Sequence, residues 1–288
     1  TGDLIIVGSN MTSLKTITAA TAKRHFQVAN AHTLELWYVK LTGADISSGN
    51  GNDNRGGAIY IEKSGGQLNL YYSEISGNKA FGGGAISAYD PVTNNDIRLV
   101  VNIYNSVIKD NTATNPPPNK GTGGGIKLYD AVATIQDTII ENNQATGGAG
   151  GVSSSFSDIT ITNTIIKDNT AYNGGGINKG FGNVILRQVT FSGNDATGVD
   201  QGDVINVGNT GSLTVVNSVG LDTGVKEHPN SNYHSTWTTC SDSPCTVGPF
   251  KGTCNAVDAN DVKQGVQCME LNNGGLGCDD GVMSSKTK

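Results

Sequence analysis

Cysteine is missing from the first 239 residues of this 288-residue chain, and its five cysteines all lie in the last fifth. Charged residues make up only 15% of the sequence and aromatic residues 6%. So few charges argue against a fold built from surface helices, which need many ion-pairing side chains. No stretch approaches the roughly 18 apolar residues of a membrane-spanning helix, so no membrane-spanning segment is expected.

The net charge of −6 and the pI near 5.1 bear on which partners the chain could bind. Nucleic-acid-binding proteins carry basic patches that neutralise phosphates, and no such patch stands out in the sequence. Nucleic acid is therefore not expected as a partner, and cations or neutral glycans fit the charge balance better.

Glycine and asparagine are abundant, with 40 and 31 residues respectively. The glycine content is about twice the average usage. Both residues adopt positive φ angles more readily than other residues do, which suits tight bends. The composition therefore indicates short extended segments joined by many bends.

One sequence block recurs along the chain: an apolar alternation, a polar pair, an apolar residue and then Asn-x-Ala. Clear copies begin at residues 68, 101, 133, 159 and 184, and degenerate copies begin at residues 34 and 213. Successive starts are separated by 25 to 34 residues. A second block, a glycine pair followed by apolar residues, lies between the copies and begins at Gly56, Gly83, Gly124, Gly150 and Gly175.

These repeats predict a solenoid. Alternation over four to six residues is typical of strands rather than helices, and the shortest coils leave no room for a crossover helix. A chain that winds once and pairs with itself one turn later stacks equivalent positions about 4.8 Å apart. We therefore predict an all-β, single-stranded right-handed parallel β-helix of about seven to eight coils over residues 1–221. One buried column of this helix is predicted to contain Leu70, Ile103, Ile135, Ile161 and Leu186.

The Gly-Gly-Ala-Ile motifs at Gly56 and Gly83, together with the block that ends in asparagine, resemble the repeats of the polymorphic outer membrane proteins. The similarity covers roughly residues 24–221 and is densest over residues 56–196. It implies a right-handed β-helix in an extracytoplasmic setting. Within the repeats the chain departs from the family motif, because only Phe191 keeps the phenylalanine and the equivalent positions carry isoleucine.

An outward column of large aromatic residues is the first candidate for function. Trp37, Tyr71 and Tyr104 occupy the same position of three successive coils, beside the predicted core column. Side chains alternate between the two faces of a strand, so these rings are expected on the outer surface, where they would bind a glycan or a partner protein. Stacking between coils without any ligand explains the same pattern.

Two polar columns also recur from coil to coil. The first is predicted to be a structural ladder of stacked amides that satisfies backbone groups in the bends, and it contains Asn78, Asn111, Asn143, Asn169 and Asn194. The second contains Asn105, Asn163 and Asn217, with Asp137 and Gln188 at equivalent sites. A ligand-binding face is the alternative interpretation of these columns.

The segment 222–288 is predicted to form an irregular C-terminal cap held by disulfides, since clustered cysteines beside a cysteine-free body are typical of such modules. Its cysteines are Cys240, Cys245, Cys254, Cys268 and Cys278. Their spacing contains no Cys-x-x-Cys pair, which argues against a metal site. Because their number is odd, one thiol stays free or pairs outside the chain.

No cofactor is expected. The segment Gly49-Asn-Gly-Asn-Asp53 carries the Gly-x-Gly-x-Asp of a calcium-binding nonapeptide, but it occurs once, and Arg55 stands where an apolar residue belongs. A flexible bend explains the segment as well as a calcium site does.

Sugar-cleaving β-helices need paired carboxylates, or a base with calcium, in a groove along the coils. No Asp or Glu residues occupy matching positions of adjacent coils, and Asp90, Asp96 and Asp110 near the longest insertions are the best candidates. We therefore predict a non-catalytic structural or adhesive protein, extracellular or on the cell surface, that binds a partner protein or a glycan. The alternatives are a polysaccharide lyase or hydrolase, and a self-assembling subunit of an extracellular filament.

Overall fold

The computed structural model describes residues 2–29, 31–48, 54–62, 65–91, 97–114, 121–198, 202–208, 211–216, 218 and 220–221. It also gives the backbone of four later strands, up to residue 279. These residues form short strands joined by bends, with almost no helix. Four parallel sheets stack along a solenoid, and the predicted parallel β-helix is confirmed.

The chain visits the four sheets in a fixed order within each turn. Sheet 1 has eight strands: Phe26–Ala29, Ile59–Glu62, Ile86–Tyr89, Ile126–Tyr129, Val152–Ser155, Ile177–Lys179, Ile205–Val207 and Val225–Glu227. Sheet 2 has nine: Leu4–Val7, Thr33–Trp37, Gln67–Tyr71, Leu99–Tyr104, Ala131–Gln136, Asp158–Thr162, Val184–Arg187, Ser212–Val216 and His234–Thr238.

The other two sheets have shorter strands. Sheet 3 has seven: Lys15–Thr18, Val39–Thr42, Glu74–Ser76, Val107–Lys109, Ile139–Glu141, Ile165–Lys167 and Thr190–Ser192. Sheet 4 has five strands of two residues: Lys79–Ala80, Thr112–Ala113, Gln144–Ala145, Thr170–Ala171 and Asp195–Ala196. The Asn-x-Ala end of each repeat therefore forms a strand of its own.

The turn that begins at residue 86 shows how one repeat maps onto the fold. Ile86–Tyr89, Leu99–Tyr104, Val107–Lys109 and Thr112–Ala113 lie in sheets 1 to 4 in that order, and each pairs in parallel with its counterparts in the neighbouring turns. The solenoid has about six turns. This count compares with the seven to eight coils expected from the repeats.

Apolar columns fill the interior of the solenoid. The predicted column of sheet 2 is confirmed, with all five side chains fully buried and in register: Leu70, Ile103, Ile135, Ile161 and Leu186. A second column of sheet 3 consists of Ile75, Ile108, Ile140, Ile166 and Phe191. Each coil buries its apolar face only against its neighbours, so the core is continuous along the stack.

The asparagine column runs inside the bend between sheets 3 and 4. The side-chain oxygen of Asn111 accepts hydrogen bonds from both the backbone N–H and the Nδ2 of Asn78, each at 3.0 Å, and Asn143 does the same for Asn111 at 3.1 and 3.0 Å. Asn111 Nδ2 also donates to the carbonyl of Ile75 at 3.0 Å. The pattern continues through Asn169 to Asn194, so these buried amides satisfy the backbone of each bend.

The glycine pairs lie where two backbones approach too closely for any side chain. Gly83 has a φ of +64°, and a Cβ there would lie 2.1 Å from the carbonyl oxygen of Ile86. A Cβ on Gly84 would lie 2.3 Å from the carbonyl oxygen of Gly124 in the next turn. The repeated glycines thus permit the sharp entry into each strand of sheet 1.

Two strands extend the solenoid past residue 221: Val225–Glu227 pairs in sheet 1 and His234–Thr238 pairs in sheet 2. Gln267–Glu270 and Leu276–Asp279 form an antiparallel pair with Cys268 opposite Cys278. The structure does not describe the side chains of Cys268 and Cys278, and Cys240, Cys245 and Cys254 lie outside the described residues. Asn217 and the calcium-type segment 49–53 also lie outside them. The disulfides and the cap over 222–288 therefore stay predictions. In the described part, no helix is long and apolar enough to span a membrane.

Candidate functional site

The aromatic column lies at the corner where sheet 2 ends and sheet 3 begins. Trp37 pairs in register with Tyr71, and Tyr71 pairs with Tyr104. The same column continues through polar and smaller side chains in the later turns: Gln136, Thr162, Arg187 and Val216. All three aromatic side chains are partly exposed, so the outward direction predicted from alternation agrees with the structure.

The three rings stack on one another. The ring centroids of Trp37 and Tyr71 are 4.1 Å apart with planes inclined by 19°, and those of Tyr71 and Tyr104 are 5.4 Å apart with planes inclined by 9°. Both faces of Tyr71 are therefore covered by its neighbours. No sugar ring fits between rings at these spacings, so the stack presents ring edges and hydroxyl groups to solvent.

A second aromatic pair, which the sequence reasoning missed, widens the corner. Tyr38 and Tyr72 stack with centroids 5.4 Å apart, and Trp37 contacts both rings at 6.0 and 6.1 Å. Their φ angles are +55° and +48°, a left-handed conformation that costs a residue with a Cβ roughly 1–2 kcal/mol. The five rings, Trp37, Tyr38, Tyr71, Tyr72 and Tyr104, are called the aromatic corner below.

Tyr38 and Tyr72 occupy the first positions of the predicted second polar column. Further along, the same left-handed bend position carries Asn105, Asp137, Asn163 and Gln188, with φ between +46° and +53°. Asn163 Nδ2 donates to the carboxylate of Asp137 in the preceding turn. A residue with a positive φ is more often asparagine or aspartate than tyrosine. Aligning the repeats at Asn105 would therefore have revealed Tyr38 and Tyr72 as unusual residues at this bend position.

The rest of the outer surface of sheet 2, which is called the sheet 2 face below, mixes neutral polar side chains with apolar and charged ones, among them Val132, Asp158 and Ile185. Asn69 Oδ1 accepts hydrogen bonds from Gln67 Nε2 at 3.0 Å and from Asn102 Nδ2 at 2.9 Å. Thr134 and Thr160 continue the column of Asn102 in later turns. The amides and hydroxyls of this one column are groups that pair with sugar hydroxyls.

One carboxylate contacts the aromatic corner. Trp37 Nε1 donates to Glu35 Oε1 at 2.7 Å, which fixes the indole at one end of the stack. Partial burial, with smaller contributions from Glu35 and Tyr104, raises the pKa of Tyr71. The Tyr71 hydroxyl therefore stays protonated and available as a hydrogen-bond donor throughout the neutral pH range.

The carboxylates on sheet 3 are paired with cations. Glu74 lies 2.9 Å from Lys40 Nζ and 3.5 Å from Lys109 Nζ, and Glu141 lies 3.0 Å from Lys167 Nζ. Burial raises the pKa of Glu74, but hydrogen bonds from Lys40 and Ser76 outweigh this effect and lower the pKa overall. A general acid at neutral pH needs a raised pKa, which Glu74 does not have.

Asp90 and Asp110 do not form a catalytic pair. Asp90 does match Asp130 of the next turn, so the expectation that no acidic residues share a position in adjacent coils is wrong, but Asp130 is ion-paired with Arg98 at 3.4 Å. Asp90 is buried between sheets 1 and 2, whereas Asp110 lies in the bend that follows sheet 3, so the two occupy different corners of the coil. Asp96 lies outside the described residues. Among the residues that the structure does describe, no group of three His, Cys, Asp or Glu side chains could hold a metal ion.

Comparisons of the chain with protein-family models, with characterised proteins and with solved structures find no match. The class of the protein therefore rests on its own geometry, which is that of a parallel β-solenoid with an aromatic corner.

Proposed function

We propose that this solenoid is a non-catalytic, extracellular or cell-surface adhesion protein that binds a neutral glycan across the sheet 2 face. The resemblance of its repeats to those of the polymorphic outer membrane proteins supports the extracytoplasmic setting. The observation that carries the proposal is the aromatic corner, which borders a column of amide and hydroxyl side chains on the sheet 2 face.

The stacking geometry determines how a glycan would contact the corner. Because Trp37 and Tyr104 cover the two faces of Tyr71, a sugar meets ring edges and accepts hydrogen bonds from tyrosine hydroxyls. Asn102 and Thr134 lie on the neighbouring column, are partly exposed, and offer further donors and acceptors to the same chain. The glycan would thus form hydrogen bonds with the hydroxyl and amide groups and apolar contacts with the ring edges.

The solenoid also favours binding by keeping these groups rigid. Each ring is held by its neighbours in the stack, and Asn102 is hydrogen-bonded to Asn69 in the preceding turn. Side chains that are already ordered lose little conformational entropy when a ligand binds. Even weak contacts, repeated on successive turns, then sum to useful affinity for a long polymer.

A pair of double variants tests this proposal. Replacing Tyr71 and Tyr104 with phenylalanine removes two hydroxyls and keeps the stack, and each hydroxyl that binds the glycan contributes about 0.5–1.5 kcal/mol. The expected result is about a 5- to 150-fold weaker affinity for a neutral oligosaccharide selected on a glycan array. Replacing both residues with alanine is expected to abolish binding and to leave the circular dichroism spectrum unchanged.

Tyr129→Phe is the matched control, because Tyr129 lies at the end of a sheet 1 strand and away from the aromatic corner. It is expected to bind like the wild type. If neither double variant loses affinity, the sheet 2 face is not the glycan site. If no neutral glycan binds and a purified surface protein binds through Tyr71 and Tyr104 instead, the corner recognises a protein and the glycan proposal is wrong.

A further inference from the structure

The outer surface of sheet 1 carries a polar column that the sequence reasoning did not identify. Its members are in register through seven successive strands of sheet 1: Gln27, Tyr60, Ser87, Lys127, Ser153, Asn178 and Asn206. Of these, Tyr60 and Ser87 are buried. The adjacent outward column contains Glu62, Tyr89 and Tyr129. This surface is separate from the sheet 2 face and differs from it in charge.

Two cations meet over one aromatic ring on this surface. The guanidinium carbon of Arg55 lies 3.5 Å from the centroid of the Tyr89 ring, and Lys127 Nζ lies 5.7 Å from the same centroid. Arg55 and Lys127 come from turns on either side of Gly82, which bridges to Arg55. A Cβ on Gly82 would lie 3.1 Å from Lys127 Nζ, so the glycine leaves room for the lysine to approach.

The polar groups of this cluster are not all satisfied. Arg55 Nη1 and Ser87 Oγ are both buried and have no hydrogen-bond partner. No ion pair links Arg55 or Lys127 to a carboxylate within the described ranges. Such groups in a native structure call for an explanation, and a bound ligand that accepts hydrogen bonds is one.

A third cation lies near the other two. The guanidinium carbon of Arg24 lies 5.0 Å from the centroid of the Tyr60 ring, and the carboxylate of Glu62 accepts a hydrogen bond from Gln27. Burial raises the pKa of Tyr60, so its hydroxyl stays neutral. Burial, and then repulsion by Arg55, lower the pKa of Lys127 to about 8. The protein thus holds like charges together at a cost in stability, in a chain whose net charge is −6.

We propose that Arg55, Lys127 and Ser87 bind one carboxylate or sulfate group of an acidic glycan. An anion between Arg55 and Lys127 offsets their repulsion, and a planar guanidinium suits a two-oxygen contact. The site is independent of the neutral-glycan site proposed on the sheet 2 face.

The rest of the surface indicates a glycan rather than an isolated anion. Beyond Lys127 the column continues as Ser153, Asn178 and Asn206, and Asn206 Nδ2 donates to Asn178 Oδ1 at 2.9 Å. An aromatic ladder borders this strip, with Phe156 and Phe181 stacked 4.5 Å apart and 40% and 39% exposed. A sugar chain that extends from the cationic cluster along the coils would therefore meet amides on one side and rings on the other.

Calorimetric titration of the whole chain tests this site, with three probes: trigalacturonate, a sulfated galactan tetrasaccharide that carries no carboxylate, and neutral galactotriose. Binding of at least one acidic probe and at least tenfold weaker binding of galactotriose are expected. Comparing the affinities of the two acidic probes shows whether the site prefers a carboxylate or a sulfate group. At pH 8 Lys127 is about half protonated, so binding is expected to take up about half a proton, which titrations in buffers of different ionisation enthalpy measure.

Lys127→Met is the decisive variant. It is expected to weaken binding of the acidic probe at least tenfold and to abolish the proton uptake, while raising the melting temperature of the free protein because a buried charge and its repulsion from Arg55 are gone. A lysine with a purely structural role would not combine weaker ligand binding with a higher melting temperature when it is replaced. Arg55→Gln is expected to weaken binding to a similar extent. Lys15→Met, an exposed lysine on sheet 3, is the matched control and is expected to bind normally.

Three outcomes would overturn the proposal: equal binding of galactotriose, unchanged affinity in Lys127→Met, or tighter binding of a glutamate oligopeptide than of either acidic glycan. The last outcome would assign the site to an acidic protein segment. The double alanine variant of Tyr71 and Tyr104 is expected to keep full affinity for the acidic probe. Failure of the sheet 2 proposal is therefore distinguishable from failure of this one.

Discussion

Lys179 points into the core of the solenoid, and its replacement with methionine is expected to stabilise the protein. It occupies an inward column of sheet 1 together with Val28, Ile61, Ala88, Leu128, Ser154 and Val207. Its side chain is fully buried, and its Nζ donates to the carbonyl of Gly180 at 2.9 Å. Burial lowers its pKa from 10.5 to about 8.

The pKa of Lys179 gives the size of the effect. The pKa is lowered by about 2.5 units, and each unit corresponds to about 1.4 kcal/mol. Keeping Lys179 charged in the folded protein at neutral pH therefore costs roughly 3 kcal/mol of the free energy of unfolding. Losing the hydrogen bond to Gly180 costs about 1 kcal/mol. Lys179→Met should therefore gain roughly 2 kcal/mol at pH 7, which raises the melting temperature by about 4–8 °C in a domain of this size.

The pH dependence provides a sharper test. Between pH 8 and 10.5 the unfolded chain binds a proton at Lys179 that the folded chain has lost, so the stability of the wild type rises with pH in this window. The advantage of Lys179→Met should therefore shrink from pH 8 to pH 10.5. Lys127 also titrates near pH 8, but it is present in both proteins and cancels in the difference.

Thermal denaturation followed by circular dichroism at pH 7, 9 and 10.5 measures this difference. Leu128→Met in the same column is the control, and it is expected to change stability by less than about 1.5 kcal/mol at every pH. A lower melting temperature for Lys179→Met at pH 7, or a difference that does not vary with pH, would refute the reasoning.

Three further predictions concern the body and the tail of the chain. Ile161→Asp places an unpaired charge in the core column and should unfold the middle turns, which chemical denaturation would detect as a lost or strongly weakened transition. Asn143→Ala removes the acceptor of two hydrogen bonds from Asn111 and should cost about 1–3 kcal/mol in the same assay. Mass spectrometry of the unreduced protein should find at least two disulfides among the five cysteines, and five free thiols would contradict an oxidising environment.

The sequence was sufficient to predict the features that repeat locally. Strand alternation identified the column from Leu70 to Leu186, because inward positions recur every second residue and every coil. The two-residue strands of sheet 4, such as Thr112–Ala113, escaped notice because they are too short to show alternation. Their existence depends on pairing with neighbouring turns, which no single segment encodes.

The candidate sites were predicted only in part. Trp37, Tyr71 and Tyr104 follow from the repeat, but Tyr38 and Tyr72 break the polar rule of their bend position and were overlooked. The cluster of Arg55 and Lys127 could not be predicted, because its members are 72 positions apart and meet only across the glycine of an intervening turn. Non-local cation clusters of this kind leave no periodic signal.

The most direct test of the central claim is one incubation with two readouts. Wild-type protein and the Tyr71→Phe, Tyr104→Phe double variant are equilibrated with a fluorescent neutral hexasaccharide identified by array, and affinity is measured at once by anisotropy. The sugar is then analysed by mass spectrometry after a day. We expect the wild type to bind the intact hexasaccharide at least fivefold more tightly than the variant and to leave its length unchanged. Cleavage of the sugar by the wild type, or equal binding by the two proteins, would contradict a non-catalytic glycan-binding solenoid.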